Sequence, residues 1–372
     1  MRITRIETFP VRIPLKPKYH MLTALGRHEV SEYLLVRIDT DAGIEGAGEA
    51  TVSVRWSGET VPGAKALIEQ VFAPCLLGRD PREIEEIDRT LDASARFNWF
   101  AKAALEMACQ DIRGKDAGQP VYELLGGAAR PLAIGCRFSM GAFPPERARQ
   151  RAAELVAEGF TTIKVKVGTG DLNEDVERVR AVRAAIGPDR ELTIDANCGY
   201  DAATAIEAAR RMEPFRVALF EQPTPQRDFG ALAEVRRNVS CEVMADDIVF
   251  DLDDARECLR NEACDCVSVY PGKNGGIHKS RAIVELAAAG GVGCTIGSNL
   301  ELDVASAAMA HLVVACPNMQ VERYPGDLLG PAYHEFSIAK NPLSISGPVT
   351  TITDRPGLGV EVDWGLVSAH PC

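Results

Sequence analysis

The chain has 372 residues, more than one compact domain usually contains, and this length predicts roughly two domains. Its 41 basic and 53 acidic residues leave a net charge of −12, and no Lys/Arg-rich run provides the basic surface that a nucleic-acid partner requires. No apolar stretch approaches the roughly 18 residues of a membrane span, and the alternating, charged N-terminus is unlike a signal peptide. We therefore expect a cytoplasmic protein without a nucleic-acid or membrane partner, whose eleven scattered cysteines are buried, reduced thiols.

The first region, residues 1–125, combines strand and helix patterns. Strands are predicted at Arg2–Pro14 and Glu32–Thr40, and a short turn joins the second of them to Ile44–Ala50 as a hairpin. Helical periodicity follows at about 63–76, 82–93 and 98–118. A strand meander followed by a helical bundle predicts an α+β capping domain.

The second region, residues 126–324, alternates short β-rich runs with amphipathic helices. The predicted strands are Ala133–Phe138, Thr161–Val167, Leu192–Asp195, Val217–Phe220, Glu242–Ala245, Cys266–Tyr270, Val292–Ile296 and Met319–Glu322. The helices between them include Pro145–Ala157, Leu172–Ala185, Ala202–Met212 and His278–Ala289.

Eight strands in this alternation predict a parallel sheet closed into a (β/α)₈ TIM-type barrel. A doubly wound sheet is the alternative, which the absence of a Gly-rich nucleotide-binding turn after the first strand disfavours. Residues 325–372, with several prolines and turn signals, are predicted to return to the capping domain.

Three carboxylates each follow an apolar strand of the predicted barrel. Asp195, Glu221 and Asp246 are spaced by about one βα unit, and the carboxyl ends of barrel strands meet at one face of the barrel. Successive strands would therefore direct them at the same point, where ligands that are all oxygens suit Mg²⁺ or Mn²⁺. The alternative is three unrelated polar residues at the starts of loops.

Two lysines lie on one predicted strand. Lys164 and Lys166 are two residues apart, so both side chains point to the same face, roughly 6–7 Å from each other. A lone strand lysine usually extends to solvent, but two on the interior face of a barrel need the anionic partners that the carboxylates supply. Each ammonium disfavours the charge of the other, which makes a neutral amine accessible near neutral pH. One lysine then serves as general base while the other steadies a substrate carboxylate.

These groups together suit the removal of a weakly acidic proton alpha to a carboxylate. A cation at the carboxylate oxygens stabilises the enediolate that forms, and a lysine takes the proton. Such a pairing of lysine and Mg²⁺ is already described for enolase-type sites.

Short motifs in a fixed order carry a family resemblance over nearly the whole chain. In the cap they are Gly43–Glu49, Ala103–Ala108, Asp111 and Leu124–Gly127. In the barrel they are Lys164–Lys166, Ile194–Asn197, Phe220–Pro223, Met244–Asp247 and Lys273–Gly276. Each is weak alone, but in this order and spacing the chain resembles the enolase superfamily, within the mandelate racemase/muconate lactonizing enzyme family and its muconate lactonizing enzyme-like subgroup.

The resemblance implies a role for each matching residue. It implies a metal at Asp195, Glu221 and Asp246, with Lys166 as the acid/base and Lys164 beside it. Two cap loops, at about 16–27 and 51–59, would close the pocket over a small-molecule carboxylate substrate. Candidate substrate-binding residues are Asn197, Lys273, Ser298, Glu301, Tyr19, His20 and Trp56. Family members often form symmetric assemblies, so a homo-oligomer is expected.

Two departures from the family pattern bear on the reaction. The histidine that mandelate racemase-like members place at the end of strand seven is missing, because this stretch reads Cys294–Ser298. Muconate lactonizing enzyme-like members carry a strand-six lysine three positions before the Lys273 equivalent, where this chain has Tyr270. Tyr270 is a weak acid, a hydrogen-bond donor to substrate or a packing residue, and the sequence leaves these roles open.

Loss of the opposite-face lysine favours reactions that need one base. We therefore expect a hydroxy- or sugar-acid dehydratase, or a muconate-type cycloisomerase, that acts through an enediolate. The alternatives are a racemase or epimerase of an amino-acid derivative and a catalytically inactive barrel that binds a ligand. A metal-dependent aldolase would share the carboxylates but would not need the paired lysines.

Overall fold

The computed structural model describes all 372 residues. Its N-terminal part begins with a three-stranded antiparallel sheet in the order β1 (Ile3–Pro14), β4 (Val30–Thr40) and β5 (Glu45–Ala50). A small hairpin, β2 (Met21–Thr23) and β3 (Gly26–His28), is inserted between the first two strands. The three predicted cap strands are therefore confirmed to within two residues, whereas the hairpin was not predicted.

The cap helices follow the sheet along the chain. They are α1 (Val61–Leu67), α2 (Ala73–Leu76), α3 (Ile84–Ser94), α4 (Trp99–Ala117) and α5 (Val121–Leu124). One turn of π-helix, Ile68–Phe72, joins α1 to α2, so the single helix predicted at 63–76 is continuous but irregular. Helix α4 is buried along most of its length and packs against β5.

Seven parallel strands form one sheet in chain order. They are β7 (Phe138–Met140), β8 (Thr162–Lys166), β9 (Glu191–Asp195), β10 (Leu219–Glu221), β11 (Glu242–Ala245), β12 (Cys266–Val269) and β13 (Gly293–Ile296). The helices of this region are α6 (Pro145–Ala157), α7 (Leu172–Ile186), α8 (Ala202–Met212), α9 (Phe229–Asn238), α10 (Leu252–Arg260), α11 (Pro271–Asn274), α12 (Ile277–Ala289) and α13 (Asp303–Ala315). These strands are almost entirely buried, as parallel strands covered on both faces are, and the polar residues among them include the site residues of β8, β9 and β10.

The first predicted barrel strand, Ala133–Phe138, is wrong as a single element. It divides into β6 (Ala133–Gly135), which pairs antiparallel with the C-terminal tail, and β7, which begins at Phe138 and pairs with β8. A short apolar run of this kind does not reveal which of two sheets it joins.

The eighth predicted strand, Met319–Glu322, is not a regular strand. Met319 forms a parallel bridge with Cys294 on one side, and Gly326 forms another with Cys136 on the other. Pro325, which has no N–H to donate, lies between these two bridges. This irregular segment closes the circle between β13 and β7, and the architecture is the predicted TIM-type barrel with an N-terminal cap.

The C-terminal tail packs on the cap. Its strands are β14 (Ser344–Ser346) and β15 (Val349–Thr351), and its helices are α14 (Gly330–Tyr333) and α15 (Trp364–Ser368). The Trp364 indole N–H donates to Glu45 of β5 at 2.7 Å, and its ring lies 4.9 Å from Phe9 of β1. One core of 101 buried residues spans cap, barrel and tail, so the pieces form one hydrophobic unit. No helix is long and apolar enough to cross a membrane.

Candidate active site

The carboxyl ends of β8, β9, β10 and β11 place charged side chains side by side. Lys166 is in register with Asp195, and Asp195 with Glu221. Asp246 follows the last residue of β11, the next strand along. The three acidic residues are at most 5% exposed. Parallel pairing therefore places the three carboxylates on neighbouring strand ends, as the sequence spacing predicted.

Each of the three carboxylates has a positively charged partner. The Lys164 ammonium donates to Asp195 Oδ2 at 2.9 Å and to Glu221 Oε1 at 2.8 Å. Arg137, fully buried, donates to the other oxygen of Glu221 at 2.8 Å. Asp246 receives a hydrogen bond from Lys273 at 2.8 Å. These pairs offset the large cost of burying isolated charges.

Lys166 is the more exposed of the two lysines of β8, at 9% against 5% for Lys164, although both line the cavity. Its Nζ lies 2.5 Å from Asp195 Oδ2 and 2.6 Å from Asn197 Oδ1, and its side chain lines a cavity. Asn197 follows β9 with a positive φ of 41°. This left-handed turn, which Asn tolerates better than most residues, directs its amide back toward Lys166.

The protonation of Lys164 follows from the charged groups around it. Burial and the nearby Arg137 oppose its charge, but Asp195 and Glu221 outweigh them and the pKa of Lys164 is raised. Burial likewise opposes the charge of Asp195, yet the two lysines lower the pKa of that carboxyl well below its usual range. Lys164 is therefore an ammonium, which agrees with the expected role of one lysine of the pair in steadying a substrate carboxylate.

The donor chemistry of the three carboxylates fits a divalent metal ion. Asp195 and Glu221 approach one ammonium closely enough that both bond to it, and Asp246 lies next to them on the cavity wall. No three acidic side chains converge on a single cation position in this conformation, where lysines take up the charge instead. Carboxylate oxygens on adjacent strand ends, partnered by positive groups, are the donors that Mg²⁺ prefers.

A cavity of about 270 Å³ lies above these groups. Its floor is formed by strand-end residues, among them Lys164, Lys166, Glu221 and Asp246. Its roof is formed by the cap, from the β2–β3 hairpin and from the loop at 53–56. A pocket enclosed between a catalytic barrel face and a second domain is the usual setting for a small-molecule site.

Tyr270 forms part of the wall across the barrel from Lys166. The two lie on strands that three others separate, β8 and β12, with Tyr270 directly after β12. Its ring is stacked on Trp56 of the cap loop, with centroids 5.5 Å apart and planes inclined by 19°. Burial and the carboxylates of Asp246 and Asp247 raise the pKa of Tyr270 well above its usual value. The hydroxyl therefore keeps its proton near neutral pH.

Some of the predicted site residues do not line the cavity. The Lys273 ammonium is fully buried and donates to the Asp246 and Ser268 carbonyls as well as to the Asp246 carboxylate. Glu301 is also buried, and its carboxylate accepts from the Ser298 hydroxyl at 2.7 Å and the Asn299 N–H at 2.9 Å. Ser298 does line the cavity, so Glu301 supports a wall residue.

The early cap loop places other residues over the pocket than those predicted. Tyr19 lies in a 3₁₀ turn, Pro17–Tyr19, with its ring edge-on to Tyr333 at 5.0 Å. The His20 ring nitrogen is 3.3 Å from the Leu15 carbonyl. Because this turn comes before the β2–β3 hairpin, residues 21–28 supply lining side chains in place of Tyr19 and His20.

Among the charged residues around the barrel face, Asp247, Asp327 and Arg137 were not predicted. Asp247 and Asp327 line the cavity, and Arg137 holds Glu221 from below. Asp247 directly follows Asp246, and this adjacency is a signal that could have identified it. Arg137 lies in the predicted strand that proved to be two elements, and Asp327 lies beyond the last predicted strand, so no strand pattern directed either side chain inward.

Comparison with known proteins places this geometry in a family. Residues 147–366 match the family described as enolase C-terminal domain-like. Residues 3–126 match the mandelate racemase/muconate lactonizing enzyme N-terminal domain. The chain belongs to the enolase superfamily, in its mandelate racemase/muconate lactonizing enzyme family, and is an enzyme of that class.

Similar proteins catalyse different reactions on this scaffold. Muconate cycloisomerase 1 of Rhodococcus opacus is 32% identical over 99% of this chain and 98% of its own length. Cis-3-hydroxy-L-proline dehydratase of Roseibium aggregatum is 31% identical over 97% and 96%. The crystal structure of dipeptide epimerase from Enterococcus faecalis V583, complexed with Mg and the dipeptide L-Leu-L-Tyr, is 32% identical, covers 97% of this chain and 100% of its own, and has a TM-score of 0.91. The superfamily uses Mg²⁺, but these relatives do not share one reaction.

Proposed function

We propose that this enzyme moves a proton at the α-carbon of a carboxylate through an enediolate. In an elimination it removes the α-proton before the leaving group departs from the same face. In a cycloisomerization a carboxylate adds to the double bond, and the enzyme then delivers a proton to the α-carbon. The substrate class is a hydroxy acid or sugar acid in a dehydratase, or a muconate-like acid in a cycloisomerase. One observation carries the choice. Lys166 lines the cavity on one side of the barrel, and Tyr270 lines it on the opposite side, where the family pattern has a second lysine.

Asp195, Glu221 and Asp246 would hold Mg²⁺, or Mn²⁺, in this proposal. When bound, the cation neutralises the charge that develops on the substrate carboxylate as the α-proton leaves. The residues around these carboxylates already prepare the site. Lys273 holds Asp246 through two hydrogen bonds and is itself anchored by a third to the Ser268 carbonyl. Arg137 holds one oxygen of Glu221.

Lys166 would act as the base in its amine form. Lys166 Nζ donates a hydrogen bond to Asn197 Oδ1 at 2.6 Å. This bond limits the directions in which the lone pair of the amine nitrogen can point. In a dehydration, Lys166 takes the α-proton and its ammonium then gives a proton to the leaving β-hydroxyl, so that water departs and a carbon–carbon double bond forms. One group placed on one face suffices for this syn elimination.

Tyr270 would act in this scheme as a neutral hydrogen-bond donor and as support for the cap. Its raised pKa keeps the hydroxyl protonated, so it does not remove a proton from the other face. Its stacking on Trp56 holds the loop at 53–56 over the cavity. Both roles are compatible with a reaction that has a single lysine base.

Epimerization of an amino-acid derivative is the second candidate. A protonated Tyr270 across from Lys166 is a possible acid on the opposite face, and the similar dipeptide epimerase catalyses inversion at carbon. This reaction requires Tyr270 to be a base in one direction, and its raised pKa opposes that role.

Solvent exchange tests the proposal. Hydroxy acids, sugar acids, unsaturated diacids and dipeptides are incubated with the enzyme and Mg²⁺ in D₂O, and α-deuterium is followed by NMR. We expect Lys166→Ala to lower exchange and turnover by about 100- to 10,000-fold, the contribution of a positioned general base. The matched control is Lys340→Ala, at an exposed lysine paired with Glu361.

The same samples distinguish the reactions. A dehydratase releases a keto acid that semicarbazide traps, a cycloisomerase bleaches diene absorbance, and an epimerase produces a diastereomer. Unchanged exchange in Lys166→Ala contradicts the base assignment, and full activity in EDTA contradicts the metal. Epimerization is supported instead if the wild-type enzyme forms a diastereomer and Tyr270→Phe abolishes the exchange.

A further inference from the structure

The roof of the cavity differs in charge from its floor. The floor contains both lysines and carboxylates, whereas no Asp or Glu of the cap lines the roof. The roof instead presents two arginines, Arg27 and Arg55, among apolar side chains such as Met21 and Leu25. A substrate that spans the cavity therefore meets cations at its far end.

Arg55 connects the two cap loops at the mouth of the cavity. Its Nη1 donates to the Leu25 carbonyl at 2.6 Å, which joins the 53–56 loop to the β2–β3 hairpin. The guanidinium lies directly over Gly26, where an added Cβ would be 2.7 Å from Nη1. Gly26 also has a φ of +118°, so both the backbone shape and the space require glycine. This contact holds the guanidinium at the cavity edge.

The Arg55 side chain is solvent-exposed, and the protein itself occupies little of its hydrogen-bonding capacity. A guanidinium has five N–H donors, and the Leu25 carbonyl is its one protein acceptor here. Arg27 differs, because Glu29 lies 3.3 Å from its Nη1 and offsets its charge. His28 also lines the cavity, but its ring nitrogen already contacts Ser31 Oγ at 3.0 Å. Arg55 is therefore the roof cation with free capacity for a ligand.

We infer that Arg55 binds a second anionic group of the substrate, which makes the substrate a dicarboxylate or an acid with a terminal carboxylate. The inference rests on the proposed function, in which the first carboxylate lies on the floor beside Lys166. A short hydrocarbon spacer suits the stretch between them, because Met21, Leu25 and Trp56 line it with apolar surface. Arginine favours such a partner because its planar fork matches two carboxylate oxygens.

Matched acid pairs test the inference by binding rather than turnover. Glutarate, adipate, pimelate and suberate, each beside its monoamide, are titrated calorimetrically into the enzyme with Mg²⁺. The monoamide keeps the length and shape of the diacid but lacks the second charge. We expect the best-fitting diacid to bind about tenfold more tightly than its monoamide, the effect of one charged hydrogen bond. Arg55→Gln should lower diacid affinity about tenfold and leave monoamide affinity unchanged.

Two further variants make the result specific. Arg55→Lys, which keeps the charge but not the fork, should retain part of the preference for the diacid. Arg210→Gln, at an exposed arginine of α8, should retain all of it. Equal binding of diacid and monoamide to the wild type overturns the inference, as does the absence of measurable diacid binding.

Equal weakening of both ligands by Arg55→Gln also overturns the inference, since it shows that Arg55 only holds the loops together. Failure of the proposed function has a separate signature. In that case the preferred diacid binds with its Arg55-dependent selectivity, but no chiral or prochiral acid carrying a terminal carboxylate exchanges its α-proton in D₂O.

Discussion

Asn197 and Asp247 form a short chain of hydrogen bonds that ends at Lys166. The Asn197 carbonyl oxygen accepts from Lys166 Nζ at 2.6 Å, and its amide nitrogen donates to Asp247 Oδ2 at 3.3 Å. The Asn197 backbone N–H is also held, by Asp195 Oδ1 at 2.9 Å. Because the two ends of a carboxamide differ in polarity, Asp247 determines which end faces the lysine.

This arrangement predicts that Asp247→Ala slows proton transfer without unfolding the protein. Loss of the acceptor lets the Asn197 amide turn, which removes the constraint on Lys166, and α-deuterium exchange should fall about 10- to 100-fold, as for other groups that orient a ligand or base. Asp247→Asn keeps a carbonyl acceptor and should recover most of the rate. Asp253→Asn, at an exposed carboxylate on α10, serves as control. A rate equal to wild type in Asp247→Ala contradicts this positioning role.

At the scale of single residues, the sequence was informative where a strand fixed the direction of a side chain. Regular strands contain or end at four of the site residues, Lys164, Lys166, Asp195 and Glu221. Parallel register brought these side chains together as predicted. Tyr19 lies outside any strand, in a turn whose direction depends on contacts with distant residues. Loop residues cannot be assigned to a pocket from periodicity alone.

At the scale of elements, the contact between β5 and α4 is unusually close. A Cβ on Gly48 would lie 1.7 Å from the Ala104 carbonyl oxygen, and one on Gly46 would lie 2.2 Å from that of Ala108. Both obstacles are backbone atoms of a buried helix, which cannot rotate away. The glycines of the cap motif therefore set the distance between sheet and helix.

We expect Gly48→Ala to destabilise the protein by about 3 kcal/mol or more, at the upper end of the usual cost of overpacking. Urea unfolding followed by circular dichroism measures the difference in the free energy of unfolding. Gly135→Ala in β6 is the matched control, because no atom lies within 4 Å of its added Cβ. If the two variants have the same stability, then β5 and α4 tolerate a wider separation than their contact indicates.

The elements that were predicted incorrectly are held by pairing with segments distant in the chain, which a local sequence pattern does not contain. β6 pairs with β15, more than two hundred residues later in the chain, and its short run of apolar residues fits either sheet. The segment at 319–326 closes the barrel with only a single bridge on each side. Regular strands such as β11 were predicted to the residue because length, apolar run and flanking helices all agree.

At the scale of the whole molecule, one histidine joins the cap, the barrel and the tail. His311 lies fully buried in α13 of the barrel. Its Nδ1 accepts from the Tyr122 N–H of the cap helix α5 at 3.2 Å, so Nε2 carries the proton and donates to the Leu358 carbonyl of the tail at 3.2 Å. A single neutral tautomer satisfies both partners.

The homo-oligomer expected from the family resemblance stays a prediction. Light scattering after size exclusion would test it.

The neutrality of His311 predicts that its own contribution to stability is lost in mild acid. Burial lowers its pKa from 6.5 to about 4, and that of His334 likewise to about 4. Between these pH values the unfolded chain protonates the histidine and the folded protein does not, so the contribution of His311 to stability falls by up to about 3 kcal/mol as the pH drops from 6.5 toward 4. Buried carboxyls with raised pKa values, such as Glu49, contribute in the opposite sense, so the His311 contribution is read as the difference between wild type and variant. His311→Gln, which can bond to both partners without titrating, should flatten this part of the profile while the His334 contribution persists. Urea unfolding at intervals across this range measures both slopes, and parallel profiles for wild type and variant would refute the linkage to His311.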